Sequence, residues 1–353
     1  MQKVIKKVVG IDVSQKTLDV QMGILYDTFE CILYTHRVLV NSEKGFTRLL
    51  ELISKDLGTL ENVEIVIEAT GVYHEKLAHF VHANGLKISV VLPNKISNYM
   101  KTLVVKTITD KTCAEALTRF GLERKLDYWN PPKRVYKDLR QLVREREQIV
   151  LERSTIKNQL HAETSSAYPF KSTINRLEER IKFLNKQEKE IKADIDLIVS
   201  TNEDLKHEVK IITSAPGIGQ QTAVTILAET NGFELIKNKK QLVSYAGLDV
   251  REKSSGTSVR GKSRISKKGN KNLRKAMHLP ALTAIKWDQK YKNVYARQTQ
   301  KHGIKMKSIV AVQRRLLELT YVLFKNKNIY DKDYEKNSAQ KKLCAIQTGL
   351  NPS

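Results

Sequence analysis

The chain has 353 residues, 41% hydrophobic and 28% charged, with 62 Lys and Arg against 38 Asp and Glu for a formal charge of +24. That composition excludes collagen-like, mucin-like and fibrous chains, and no apolar run approaches the ~18 residues a membrane span needs. A chain this basic ordinarily meets a polyanion, although a basic surface also suits an anionic membrane, so the distribution of charge decides.

In chain order the sequence opens MQKVIKKVVGIDVS, where basic residues run straight into a strand pattern without the apolar core or small-residue cleavage site of a signal peptide. Export is therefore not expected. Three strand-like runs, VVGIDVS, LDVQMG and RVLVN, precede a helix predicted over 42–57 with Ser42 as its N-cap. The apolar strand VEIVIEAT follows, then a helix over 73–83 closed by Asn84-Gly85, then the strand KISVVLP. Strand and helix in alternation predict a mixed α/β domain over 1–130. Cys31, Cys113 and Cys344 are odd in number and lack CxxC spacing, which supports neither a disulfide framework nor a zinc ribbon. A reducing cytoplasm is the expected compartment.

Residues 131–205 read as a coiled-coil hairpin. Its helices are predicted over 135–161 and 174–199, and Pro169 breaks the chain between them. In the second helix Ile174, Leu177, Ile181, Leu184, Ile191, Ile195 and Ile198 keep a three-and-four spacing, with Glu188 the one polar breach. In the first, Arg146 and Arg153 share the register of Leu139, Leu142, Ile149, Ile156 and Leu160. An ordinary amphipathic bundle has the same stripe; a hairpin used for oligomerisation is the reading preferred here. Residues 206–325 form a mainly α C-terminal domain around a Gly- and Ser-rich loop, with a last helix over 308–324, and 326–353 form a polar tail.

Charge is unevenly spread. Residues 1–130 carry 17 basic and 15 acidic side chains, 131–205 carry 15 and 13, and 206–353 carry 30 and 10, so the last segment alone holds +20.

Asp12 follows one apolar strand start and Glu68 closes another, which lets both carboxylates project from strand ends of one sheet; Asp110 opens the amphipathic DKTCAEALTRFG and offers a third oxygen donor. Three carboxylates within ~4 Å would repel by about 4 kcal/mol per pair at an effective dielectric of 20, so a divalent cation is needed to hold them ionised. Magnesium is the expected ion and manganese its substitute. Each acid taken alone is equally a cap or a solvated turn. The phrase SAPGIGQQTA sets Gly217 and Gly219 in a turn between helices that can offer backbone N–H groups to a phosphate, or can be a tight turn without a ligand. From Lys253 to Lys275 there are nine Lys or Arg and no acid, interleaved with serines and three glycines. Arg260, Lys262, Arg264, Lys267, Lys268, Lys271 and Arg274 are the candidate nucleic-acid contacts, and a serine among them is a candidate nucleophile at phosphorus.

The ordered set GIDVSQKTLDV, VIEATGVYHEKL, TDKTCAEAL, SAPGIGQQTA, AGLDVREKSSGTS and SKKGNKNLRKA resembles the DEDD transposases of the insertion-sequence one-hundred-and-ten family over about Val8 to Phe324. The resemblance implies an RNase H-like (RuvC-like) N-terminal domain, a coiled coil, and a C-terminal transposase domain with a catalytic serine. It implies a recombinase acting on double-stranded donor and target DNA through a phosphoserine intermediate. A noncoding bridge RNA would guide it, within a homo-oligomer from dimer to tetramer, in a prokaryotic cytoplasm at the nucleoid and away from membranes. On this pattern Asp12, Glu68 and Asp110 match the first three acids. The fourth position holds Cys113, a poor magnesium ligand. The family serine matches Ser255, with Ser254 and Ser258 as alternatives in register. Two other readings remain: a metal-dependent junction nuclease in which the serine only contacts phosphate, and an inactive nucleic-acid-binding relic.

Overall fold

The computed structural model describes residues 2–69, 71–103, 107–234, 236–252, 254–255, 259–261 and 264–333, with only the backbone of 254, 255, 259 and 260. The chain divides into two compact units, Met1–Pro131 and Pro132–Ser353.

In the first unit β1 (Val4–Val13), β2 (Thr17–Tyr26), β3 (Cys31–Leu33) and β4 (Arg37–Val40) precede α1 (Glu43–Leu57), followed by β5 (Val63–Glu68), α2 (Glu75–Ala83), β6 (Lys87–Val91), α3 (Pro93–Met100) and α4 (Asp110–Glu123). The sheet runs β3-β2-β1-β5-β6, with β4 also paired to β2; β1 is antiparallel to β2 and parallel to β5, and β5 is parallel to β6. Ser42 caps α1 by accepting from the Gly45 N–H, and Gly58 ends it at φ 75°. Buried Phe46, Leu49, Ile53 and Leu57 give α1 one apolar stripe. Strand alternation then sorts the core. Val9, Ile11, Ile65 and Ile67 pack with the α1 and α2 side chains on one face, and Val8 and Val66 pack with those of α3 and α4 on the other. The short β3 and the helix α3 are additions to the elements predicted from sequence.

The second unit holds α5 (Arg134–Thr164), α6 (Lys171–Thr201), α7 (Glu203–Thr213), α8 (Gln220–Thr230) and α9 (Lys239–Tyr245). The two-residue strands β7 (Val250–Arg251), β8 (Ser254–Ser255), β9 (Val259–Arg260) and β10 (Arg264–Ile265) follow, then α10 (Lys271–Ala276), α11 (His278–Trp287), α12 (Gln289–His302) and α13 (Lys305–Asn326). Helices α5 and α6 pack as a hairpin, each several residues longer than predicted, with the turn around Pro169 between them. The sequence boundary at 130 lies beside Pro131, where the units divide. The predicted boundary at 205 runs through a single core: Leu184, Ile191 and Val199 of α6 belong to the same apolar cluster as Leu205 and Ile212 of α7. Among the described residues no helix is long and apolar enough to cross a membrane.

Candidate active site

In β1 the residues Val8, Gly10 and Asp12 share one face, and in β5 Val66 and Glu68 share the same face, because side chains alternate and Ile11 pairs with Ile67. That face lies under α4. The helix approaches closely because Gly10 has no side chain: a Cβ there would stand 2.4 Å from Thr118 N and 2.6 Å from Ala114 O. Thr118 fills the contact, its Oγ1 accepting from the Gly10 N–H at 3.1 Å and donating to the Gln21 carbonyl at 2.9 Å. Gly121 repeats the device, since a Cβ there would meet Val8 Cγ1 at 2.7 Å. Thr109 caps α4 in a capping box with Thr112, which fixes Asp110 in the first turn and Cys113 three residues on.

Asp12, Glu68, Asp110 and Cys113 thus form one electrostatic cluster. Burial first, then the charges of Asp110, Glu68 and Asp19, push the Asp12 carboxyl up to about 6. Burial, then the charges of Asp12, Glu68 and Asp110, push the Cys113 thiol up to about 11, and the thiol is hydrogen-bonded to Asp12. The fourth position is therefore neutral at pH 7. Asp19 stands opposite Asp12 in the β1–β2 ladder on the same face, held at 2.9 Å by His36 Nε2. Sequence reasoning passed over it; its signal was the polar alternation Asp19, Gln21 within an otherwise apolar strand. A cavity of about 440 Å³ opens beside Glu68 and Cys113, with Ser97 and Lys101 on its wall.

Among the described residues no group of three His, Cys, Asp or Glu side chains already stands as a metal-holding set. The donor chemistry nevertheless fits a hard divalent cation. Asp12 and Glu68 are half-buried, Asp110 is exposed at the start of α4, and burial followed by the like charges of Asp110, Glu68 and Asp19 are the largest influences raising Asp12.

The basic loop of the second unit is a two-tiered hairpin. Val250–Arg251 pairs with Arg264–Ile265 at its base, and Ser254–Ser255 pairs with Val259–Arg260 nearer its tip. Ser255 pairs with Val259, so it closes the upper tier. Ser258 and Lys262 lie outside the described residues, as does Cys344. Below the stem Ser266 donates to Asp249 at 2.5 Å and the Lys267 N–H to the Gly247 carbonyl at 3.1 Å, with Lys267 at φ 52°. Arg274 donates from Nη1 to the Ala246 carbonyl at 2.7 Å, which makes it a brace of this loop. Arg264, Lys268 and Lys271 are exposed. In the Pro-Gly-Ile-Gly turn Gly217 takes φ 77°, and a Cβ there would meet the Pro280 carbonyl at 2.5 Å, so packing on α11 already explains it. Gly219 has open space around it and caps α8.

Residues 9–169 match a family model for DEDD transposases of the IS110 type, and residues 209–296 match one described as the IS116/IS110/IS902 transposase family. Pilin gene-inverting proteins of Moraxella bovis and Moraxella lacunata are each 29% identical over 328 residues, covering 93% of this chain and 98% of theirs. A 43.6 kDa protein of insertion element IS110 from Streptomyces coelicolor is 28% identical over 121 residues, 34% of this chain and 30% of its own. Among solved structures, Thermus thermophilus RuvC in complex with a Holliday junction substrate aligns to 35% of this chain and 99% of its own, with 10% identity and a TM-score of 0.27.

Proposed function

The chain belongs to the IS110 family of DEDD transposases, and from that premise we propose that it recombines DNA through a serine phosphodiester, using Asp12, Glu68 and Asp110 as a divalent-metal site and Ser255 as nucleophile. One observation carries the reading: an acidic cluster on the α4 face of the sheet and a serine-bearing basic hairpin occur in one chain, each within the segment matched by one of the two transposase models.

The Ser255 Oγ attacks a backbone phosphorus and gives up its proton; the O–P bond forms as the bond to the leaving deoxyribose oxygen breaks, and that oxygen takes a proton. The phosphoserine conserves the bond energy until a hydroxyl of the exchanged strand reverses the step. When bound, the divalent ion, magnesium by its preference for hard oxygen donors, supplies charge that polarises the scissile phosphate. Arg260, Arg264, Lys262, Lys268 and Lys271 hold the neighbouring phosphates. Guidance by a noncoding RNA of the same element, action on donor and target duplexes, assembly into a dimer or tetramer through the α5–α6 coiled coil, and residence at the nucleoid belong to the same reading. An RNase H-like reading of the first unit is supported by the β3-β2-β1-β5-β6 order with an acid on its central strand.

The test is covalent capture on DNA taken from either side of the gene, together with RNA transcribed from that DNA. A protein–DNA adduct that survives denaturation and is absent from Ser255→Ala supports the serine route. Metal-dependent cleavage untouched by Ser255→Ala would make the chain a junction nuclease, and salt-sensitive binding without strand cutting in any metal would make it a relic.

A further inference from the structure

Glu229, on the last turn of α8, is one of the ten acids in the +20 segment, and its side chain is fully buried. Four side-chain donors converge on its two oxygens. Arg144 of α5 forks onto both at 2.9 Å, Asn270 Nδ2 reaches Oε2 at 2.7 Å, and Asn272 Nδ2 reaches Oε1 at 2.9 Å. These bonds outweigh burial and keep the carboxyl below its ordinary range, so it is ionised at neutral pH.

The donors mark out the neck of the basic hairpin. Tyr245, where the chain enters the loop, donates its hydroxyl to the Glu229 carbonyl at 2.8 Å. Asn270, where the chain leaves it, also caps α10 through the Leu273 N–H and donates its own N–H to the Tyr245 carbonyl at 2.6 Å. Between them Gly269 takes φ 156° against the Tyr245 carbonyl, where a Cβ would stand at 2.4 Å. The exit and the helix α5 are thus joined at one carboxylate, and the entry is tied to the main-chain carbonyl of the same residue. Lys275 of α10 adds a second tie to α5 through Glu147.

We propose that Glu229 is a positioning residue for the serine hairpin, its carboxylate clamping the exit of the neck through Asn270 and Asn272 and fixing it to the long helix α5 through Arg144, while its main-chain carbonyl holds Tyr245 at the entry. The inference rests on the serine reading for its catalytic consequence and on the neck geometry alone for its mechanical one. A buried carboxylate with four donors holds its neighbours to one arrangement, and a displacement of ~1 Å in an attacking group is enough to slow a step by about 100-fold.

The test uses the full chain with an end-labelled duplex of the DNA flanking the gene and RNA transcribed from that DNA. Glu229→Gln, Asn272→Ala and Arg144→Lys are compared for amide hydrogen exchange over residues 246–270, melting temperature, DNA affinity and adduct formation at saturating duplex. The expected result is faster exchange confined to 246–270 and adduct formation slowed about 10- to 100-fold, with DNA affinity within about two-fold of wild type. If Glu229→Gln loses its cooperative melt, the two milder variants decide. Unchanged exchange over 246–270 in variants that melt normally overturns the clamp, whatever the identity of the nucleophile. Faster exchange with an unchanged adduct rate overturns its catalytic consequence. Ser255→Ala separates the two ideas: an adduct that persists in it refutes the serine reading, while exchange in the neck variants still judges the clamp.

Discussion

Glu188 stands where an apolar residue would continue the α6 stripe, 7% exposed, and the two arginines that interrupt the α5 stripe are its partners. Arg146 Nη2 and Lys192 Nζ each lie 3.0 Å from Oε1, and Arg153 bonds Oε2 and also Asn185 at 2.9 Å. Burial opposes ionisation, but the bonds from Lys192 and Arg153 prevail and hold the carboxyl at about 2 against an ordinary 4.5. At about 1.4 kcal/mol per pH unit that displacement amounts to about 3 kcal/mol. Because the folded value is depressed, this stabilisation is complete above 4.5 and is lost as pH falls from 4.5 through about 2; about 1 kcal/mol survives at pH 3. Glu188→Gln keeps the shape and removes the charge, leaving three cations around a neutral amide. It should lower stability at pH 7 by about 2–3 kcal/mol, or about 5–10 °C in Tm for a unit of this size. In urea titrations at pH 7 and pH 3 the gap between variant and wild type should shrink by more than half on acidification. A variant that matches wild type at pH 7, or a gap that persists at pH 3, would refute the assignment of hairpin stability to this cluster.

Gly10→Ala places a Cβ 2.4 Å from a backbone nitrogen of α4. It should cost about 1–3 kcal/mol in thermal unfolding, and an unchanged Tm would show that α4 can lift without penalty. Asp12, raised to about 6 when folded, favours the fold below 3.8 and loses that advantage as pH rises through 6. In chelator at pH 7.5, Asp12→Asn should therefore melt above wild type and at pH 4 should not; a variant melting at or below wild type at the higher pH would contradict the repulsion. Residues 132–353 should bind duplex DNA with a steeper salt slope than residues 1–131, and equal slopes would refute that division of labour.

The elements that local chemistry dictates were legible in the sequence. Ser42 caps α1, Asn84-Gly85 ends α2, and Asp12 and Glu68 sit at strand ends, although only the pairing of Ile11 with Ile67 sets them on one face. What depends on a distant partner was not. Arg146, Arg153 and Glu188 each read as a flaw in an apolar stripe, and only the antiparallel pairing of α5 and α6 makes them complementary. Asp19 is hidden because its polar face is buried by α4, and Glu229 because its donors come from 85, 41 and 43 residues away. The strands β7 to β10 are two residues each, too short for any periodicity to register.

Cys113 turns the electrostatics of the acidic cluster into a test of its purpose. The thiol at about 11 is neutral at pH 7, so the cluster carries one charge fewer than a four-acid set. Cys113→Asp adds that charge among Asp12, Glu68 and Asp110, at about 3 kcal/mol per pair for separations near ~5 Å and an effective dielectric of 20. A divalent ion bound among these carboxylates would offset the added repulsion. The variant should therefore melt below wild type in chelator and gain more than wild type from magnesium, the two shifts having opposite signs. A purely structural face would show the loss without the gain. Strand cutting that rises with the larger magnesium shift would mean that the cysteine weakens a working site, and cutting that stays level would mean that three carboxylates suffice.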